Sequence, residues 1–140
     1  MRAWCFLIVA ACSSSDENPS SFTATISDNG LAKAFDDVCE LTAAGDNVEI
    51  FATNGRGYAF EIKWSASAIN TPGTYTTGGI VADLSLFALY TPRGATTPVV
   101  ASATGAVTFS ALAVPDSARG TFELTVPNAS LTASGAFDCR

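Results

Sequence analysis

This sequence of 140 residues contains no histidine, which leaves cysteine and acidic side chains as the candidates for metal binding or for nucleophilic and acid–base catalysis. Without an imidazole, the chain cannot build a Ser–His or Cys–His nucleophile, and it lacks the commonest zinc ligand. A local acidic cluster offers oxygen ligands of the kind calcium prefers, but its spacing does not match an EF-hand loop. The cluster comprises Asp36, Asp37, Glu40, Asp46 and Glu49. Solvated strand edges and turns are the simpler interpretation of these acids, so the sequence predicts no metal, no cofactor and no catalytic residue.

The N-terminal segment has the organisation of a signal peptide. Arg2 supplies a positive charge, and residues 3–11 form an apolar run far shorter than the roughly 20 residues that span a bilayer. The sequence Val9-Ala10-Ala11-Cys12 resembles the bacterial lipobox, in which an aliphatic residue and two small residues precede a cysteine. The resemblance implies that residues 1–11 are removed and that Cys12 becomes a lipid-modified N-terminus carrying acyl chains such as palmitate.

Two observations leave alternatives to this prediction. Signals of this class are usually longer, so either this one is compact or translation starts upstream of Met1. The same residues would also fit a signal peptide without lipidation, or a buried N-terminal strand in which Cys12 is incidental.

Residues 12–21 are predicted to tether the lipid to the folded domain. The segment after Cys12 reads SSSDENPSS and has no apolar residue to drive folding. Removing Arg2 leaves 13 acids against six of the seven bases, a net charge of −7, which disfavours nucleic acid and anionic lipid surfaces as partners. We therefore expect the membrane partner to be reached through acyl chains, of which two suffice for stable anchoring. By resemblance to such signals, Ser13 after the cysteine favours the outer membrane of a bacterial cell envelope.

Short apolar–polar alternations separated by turn residues predict one all-β domain over residues 22–140. The clearest alternation places Tyr58, Phe60, Ile62 and Trp64 on one face of a strand. Eight or nine antiparallel strands follow from the spacing of such segments, as a β-sandwich or a partly closed barrel.

Three segments of this domain are less regular. Residues 31–41 fit helical and strand spacing equally well, and the neighbouring strands favour a strand. Residues 81–90 become apolar on both faces, which predicts a central strand covered on both sides. Thr104-Gly105 is predicted to separate a strand at residues 99–103 from another at residues 106–114.

Several motifs, in order, resemble those of a family of small bacterial lipoproteins of unknown function. They are Ser21-Phe22-Thr23-Ala24-Thr25-Ile26, Thr71-Pro72-Gly73-Thr74-Tyr75, Gly105-Ala106-Val107-Thr108-Phe109, Gly120-Thr121-Phe122-Glu123-Leu124 and Gly135-Ala136-Phe137-Asp138. The likeness covers nearly all of the chain after the signal segment. It implies an all-β fold and an envelope location, and it supplies no catalytic residue.

Cys39 and Cys139 lie on the predicted inward faces of their strands and would be the two cysteines left beside a lipidated Cys12. An exported protein meets oxidising conditions, so we expect a disulfide between them. Two separate buried thiols are the alternative.

Three aromatic residues, Trp64, Tyr75 and Tyr90, are weak candidates for ligand stacking. Trp64 shares its face with Phe60 and Ile62, so core packing is the stronger interpretation for that side chain. Tyr75, between Gly73 and Gly78, is the better candidate for a surface ring.

The sequence therefore favours a membrane-anchored, non-catalytic β domain with an interaction or structural role. A carbohydrate- or small-ligand-binding accessory lipoprotein is the alternative, and it requires an exposed aromatic platform or a concave pocket.

Overall fold

The structure, a computed structural model, describes residues 20–55, 57–78 and 83–140. They form ten strands: β1 (Ser21–Asp28), β2 (Leu31–Asp37), β3 (Cys39–Ala44), β4 (Asn47–Thr53), β5 (Ala59–Ser65), β6 (Gly73–Thr76), β7 (Leu84–Tyr90), β8 (Val99–Ala113), β9 (Ser117–Val126) and β10 (Leu131–Cys139). No helix occurs in these ranges, which confirms the all-β prediction and the choice of strand for residues 31–41. The predicted signal peptide, Cys12 and the tether up to residue 19 lie outside the described residues.

Nine strands form one antiparallel sheet that curls into a nearly closed, barrel-like shape. Their order is β2-β1-β10-β9-β8-β7-β5-β4-β3, and β6 pairs separately with β8. The first and last strands of the chain, β1 and β10, are paired along their length. This fold is therefore the partly closed barrel of the two predicted arrangements.

The ring of strands is open between β2 and β3, which stand at the two ends of the sheet order. A single residue, Val38, joins them, so they cannot fold back on each other as a hairpin. Instead, β2 pairs with β1 and β3 pairs with β4. The outer edges of β2 and β3 form a seam that other contacts must close.

The strand β8 corrects one prediction, because Val99–Ala113 is continuous through Thr104 and Gly105. Its first part pairs with β7 and the rest pairs with β9, so one strand serves both halves of the sheet. Gly105 does not end the strand. A Cβ atom at this position would overlap the carbonyl oxygen of Glu123, so glycine allows the two backbones to approach closely.

Two further core-facing glycines have the same role. A Cβ atom on Gly120 would overlap the carbonyl oxygen of Thr108, and one on Gly135 would overlap that of Thr23. These close approaches permit the strong coiling that curls β1, β10, β9 and β8 around the core.

The core is a cluster of aromatic rings from both halves of the sheet. The buried ring of Phe22 lies between 4.9 and 6.4 Å, centroid to centroid, from four other phenylalanine rings. These neighbours are Phe35, Phe60, Phe122 and Phe137. Among the described residues, buried side chains from both halves of the sheet form one core cluster inside the curl.

Cys39 and Cys139 close the seam at one corner of the sheet. Their sulfur atoms lie 2.07 Å apart and their Cα atoms 5.6 Å apart, which is a disulfide distance, as the sequence predicts. The Cys39 sulfur also lies 3.5 Å from the carbonyl oxygen of Ser21. This corner therefore joins β3 to both β10 and the start of β1.

Candidate functional site

Four loops meet at the end of the sheet where β1 finishes. The backbone N–H of Asn29 donates to the carbonyl oxygen of Ser130, which joins the β1–β2 and β9–β10 turns at 2.8 Å. Tyr58, just before β5, donates its hydroxyl hydrogen to Asp28 Oδ2 at 2.6 Å. The β7–β8 loop reaches the same place through Thr91 and Arg93. We call this end the mouth, and define it by Asp28, Leu31, Lys33, Tyr58, Thr91 and Arg93.

Strand register explains why polar side chains gather at the mouth. Lys33 lies opposite Ile26, and Leu31 lies opposite Asp28, on the same sheet face that buries Phe35. Residues opposite each other in an antiparallel pair share a face, so these side chains line the rim of the barrel interior. They mark the place where the apolar core gives way to solvent.

Lys33, Tyr58 and Asp28 form a connected polar group. Lys33 Nζ donates to Tyr58 Oη at 2.7 Å, lies 3.8 Å from Asp28 Oδ2 and sits 5.0 Å from the centroid of the Tyr58 ring. The hydrogen bond with Tyr58 raises the pKa of the Lys33 ammonium, although desolvation opposes it. Burial, together with the hydrogen bond to Asp28, raises the pKa of Tyr58. Lys33 is therefore a charged ammonium at neutral pH, held by the neutral Tyr58 hydroxyl and paired with the Asp28 carboxylate.

The mouth contains a shallow depression with a volume of about 470 Å³, lined by Asp28, Asn29, Leu31, Lys33, Thr91 and Arg93. Leu31 is 66% exposed there. The volume of the depression does not set it apart, because other depressions on the described surface measure about 450 to 560 Å³. Its position does, since barrel mouths are a common location for small-ligand sites.

The predicted stacking residues do not form a shared platform. Trp64 is buried, its ring centroid lies 5.0 Å from that of Phe109, and its indole N–H has no acceptor among the described residues. Tyr75 packs on the same Phe109 at 6.1 Å and donates its hydroxyl to the Thr71 carbonyl oxygen at 2.9 Å. Tyr90 is half-buried at the end of β7, beside the mouth. None of the three lines the depression, although Thr91, the chain neighbour of Tyr90, does.

Two outward aromatic side chains, Phe51 and Phe87, are half-buried on the outer face of the sheet, where the sequence predicted burial or passed over them. Phe87 lies on the outer face of β7, half-buried, with Lys63 Nζ 5.8 Å from its ring centroid. Strand β7 is central, as predicted, but its outward side chains are covered only in part. Residues 81 and 82 of the predicted segment lie outside the described residues. Position in the alternation is the signal that identifies both rings, since Phe51 follows inward Ile50 and Phe87 follows inward Leu86.

The acids of the predicted cluster do not converge. No group of three metal-ligating side chains occurs within residues 20–55, 57–78 and 83–140. Asp46 instead accepts hydrogen bonds from Ser65 and Ser67, and these lower its pKa. Glu49 forms an ion pair with Lys63 at 3.4 Å.

Comparison with known proteins gives no match: no family model, no curated protein and no solved structure resembles this chain. The likeness to small bacterial lipoproteins therefore rests on the sequence motifs and stays a prediction. Within the described residues, no helix has the length and apolar character needed to cross a bilayer.

Proposed function

We propose that this chain is a bacterial envelope lipoprotein whose β domain is a non-catalytic binding or structural module. Residues 1–11 act as the signal peptide, Cys12 carries the acyl chains, and the following residues tether the domain to the outer membrane. The observation that best supports export is the placement of Cys39 and Cys139 at disulfide distance. Disulfides persist in oxidising compartments such as the periplasm and are rare in the cytosol.

The position of the mouth supports a role in recognition. The tether enters the domain at Ser21, and the mouth begins at Asp28, the other end of the same eight-residue strand. At about 3.3 Å per residue, the seven steps from Ser21 to Asp28 place the two ends of β1 roughly 23 Å apart. A lipid anchor before Ser21 thus leaves the loops of the mouth free to meet a partner, and loops commonly carry function.

The anchor is tested by expressing the full chain in a bacterial host and measuring its partition into a detergent phase. Cys12→Ser is expected to move the protein to the aqueous phase, and globomycin is expected to block cleavage of the unmutated precursor. Cys5→Ser is the matched control, because that residue lies inside the predicted signal peptide and should leave partition unchanged. If Cys12→Ser and the unmutated chain partition alike, the anchor is refuted.

A ligand-binding accessory lipoprotein is the second candidate function. The depression at the mouth, with its exposed leucine and two cations, is the observation that favours it. A carbohydrate platform built from Trp64, Tyr75 and Tyr90 has less support, since Trp64 is packed within the core.

A further inference from the structure

Cations in this acidic protein are distributed unevenly. Of seven lysines and arginines, all but Arg2 and Arg56 are described, which leaves five. Three of the five, Lys63, Arg119 and Arg140, contact carboxylates on the outside of the sheet. The other two, Lys33 and Arg93, both lie at the mouth.

Arg93 forms no ion pair within the described residues, and Lys33 has the longest one, at 3.8 Å from Asp28. That carboxylate already accepts hydrogen bonds from Tyr58 at 2.6 Å and from the side chain of Asn29 at 2.8 Å. The depression therefore contains two cationic side chains and one carboxylate, and this carboxylate already accepts two hydrogen bonds. Its local excess of positive charge contrasts with a chain whose net charge is −6.

Apolar surface adjoins these cations. Leu31 is 66% exposed within the depression, and Val99 is 41% exposed. Val99 is the register partner of Tyr90, whose chain neighbour Thr91 lines the depression. Single exposed apolar residues are ordinary, but Leu31 lines the same depression as the two cations, whereas Val99 lies outside that lining.

We propose that the mouth binds one small amphiphile, with an anionic head group between Lys33 and Arg93 and an apolar chain on Leu31. A guanidinium fork fits a carboxylate or phosphate with two hydrogen bonds, and the ammonium adds a second charge. Tyr58 acts as a positioning residue, because its hydroxyl holds the ammonium in place. The inference names a ligand class for the binding role proposed above, and it depends on that role but not on lipidation of Cys12.

The size and charge of the surroundings favour a monomeric ligand over an extended surface. A depression of about 470 Å³ accommodates one head group and a short chain. The excess of acids elsewhere on the chain repels a large anionic surface, whereas a small anion is affected mainly by the nearby cations.

Calorimetric titration of the full chain carrying Cys12→Ser, purified without detergent, tests the proposal. Octyl phosphate is the probe, with octyl glucoside as a neutral amphiphile and inorganic phosphate as a free anion. We expect one octyl phosphate per chain and weaker binding of both comparison ligands. Equal binding of octyl glucoside would overturn the requirement for an anion, and equal binding of inorganic phosphate would overturn the apolar part.

Substitutions locate the binding to the mouth. Loss of one charged hydrogen-bond donor, in Arg93→Ala or Lys33→Met, is expected to weaken octyl phosphate binding about tenfold or more. Arg140→Ala is the matched control, since Arg140 lies beside Ser20 at the other end of β1 and contacts Asp138. Affinity unchanged by Arg93→Ala, in a variant with the parent's unfolding midpoint, contradicts the proposal.

Vesicles distinguish the two sources of such a head group. Phosphatidylcholine vesicles containing phosphatidic acid present the same phosphate in a membrane surface. Binding to these vesicles without binding of monomeric octyl phosphate would replace the proposed ligand by a membrane surface. Failure to bind octyl phosphate, or failure to bind the vesicles, leaves the partition test of Cys12 unaffected. Failure of the ligand proposal can therefore be told apart from failure of the lipid anchor.

Discussion

The open seam of the sheet is closed by different contacts at the two ends of strand β2. Both ends lie on the open seam of the sheet, yet near Asp37 the seam is closed by a disulfide, while near Leu31 it is bridged by an exposed polar group. We call the first region the closed corner, defined by Ser21, Cys39 and Cys139. The second region is the mouth, where Tyr58 links Lys33 and Asp28.

The contrast separates stability from recognition. The closed corner consists of buried cysteines at the end of the paired strands β1 and β10, which also carry Phe22 of the aromatic cluster. The mouth retains an arginine with no ion pair in the described residues and a leucine that is two-thirds exposed. We therefore expect changes at the closed corner to lower the free energy of unfolding, and changes at the mouth to alter binding.

Removing the disulfide is expected to have the largest effect. Cys39→Ala with Cys139→Ala opens a loop of 100 residues, for which the chain-entropy model gives a loss of about 4–5 kcal/mol in the free energy of unfolding. Urea unfolding of the double variant, compared with the oxidised and the reduced parent, measures it. Identical unfolding midpoints for the oxidised parent and the double variant would show that the closed corner does not depend on this bond.

Gly135→Ala is expected to follow, with a loss above about 3 kcal/mol, since the new methyl group would overlap the Thr23 carbonyl oxygen in the β1–β10 pair. Gly45→Ala is the comparison, because a Cβ atom there meets no neighbouring atom. The expected loss for Gly45→Ala is about 1 kcal/mol, because alanine is strained at the positive φ of 61° found there. Equal losses in thermal unfolding would mean that the close approach of β10 to β1 is not needed.

Tyr58→Phe at the mouth removes two hydrogen bonds, one from Lys33 and one to Asp28, and is expected to lower the free energy of unfolding by about 2 kcal/mol. It should weaken octyl phosphate binding more clearly, because the Lys33 ammonium loses the hydroxyl that positions it. Tyr75→Phe removes a hydroxyl that donates to a backbone carbonyl elsewhere and should leave affinity unchanged. The opposite order of affinities would remove Tyr58 from the site.

The smallest effect is expected at Asp46, in a turn outside both regions. Hydrogen bonds from Ser65 and Ser67 lower its pKa below the ordinary 3.8. A lowered folded-state pKa means that its stabilising contribution is present above pH 3.8 and is lost as the pH falls through the folded-state value. Asp46→Asn should therefore have a slightly smaller loss of stability between about pH 6 and about pH 3 than the parent, measured by urea unfolding. A larger loss in the variant would contradict this.

The closed corner was more accessible to prediction from sequence than the mouth. Alternation identifies β1, β5 and β9 because each buries one face, and it places Cys39 and Cys139 inward. The mouth, in contrast, arises where Asp28, Tyr58, Arg93 and Ser130 come together across the closed sheet. No local pattern encodes that meeting, because it depends on strand order and register.

Glycine shows the limit of local interpretation. Gly30 and Gly45 lie in turns between strands. Gly105 has a similar context but lies inside β8, where the constraint is the backbone of the neighbouring strand. A turn signal and a site of close strand approach look alike until the partner strand is known.

The most direct test measures unfolding and octyl phosphate binding together in two variants. We expect the Cys39→Ala, Cys139→Ala double variant to lose stability but, at a temperature where it stays folded, to retain affinity within about twofold. We expect Arg93→Ala to keep its unfolding midpoint and to lose affinity about tenfold. If the double variant loses affinity while still folded, or Arg93→Ala retains it, then stability and recognition are not divided between the closed corner and the mouth.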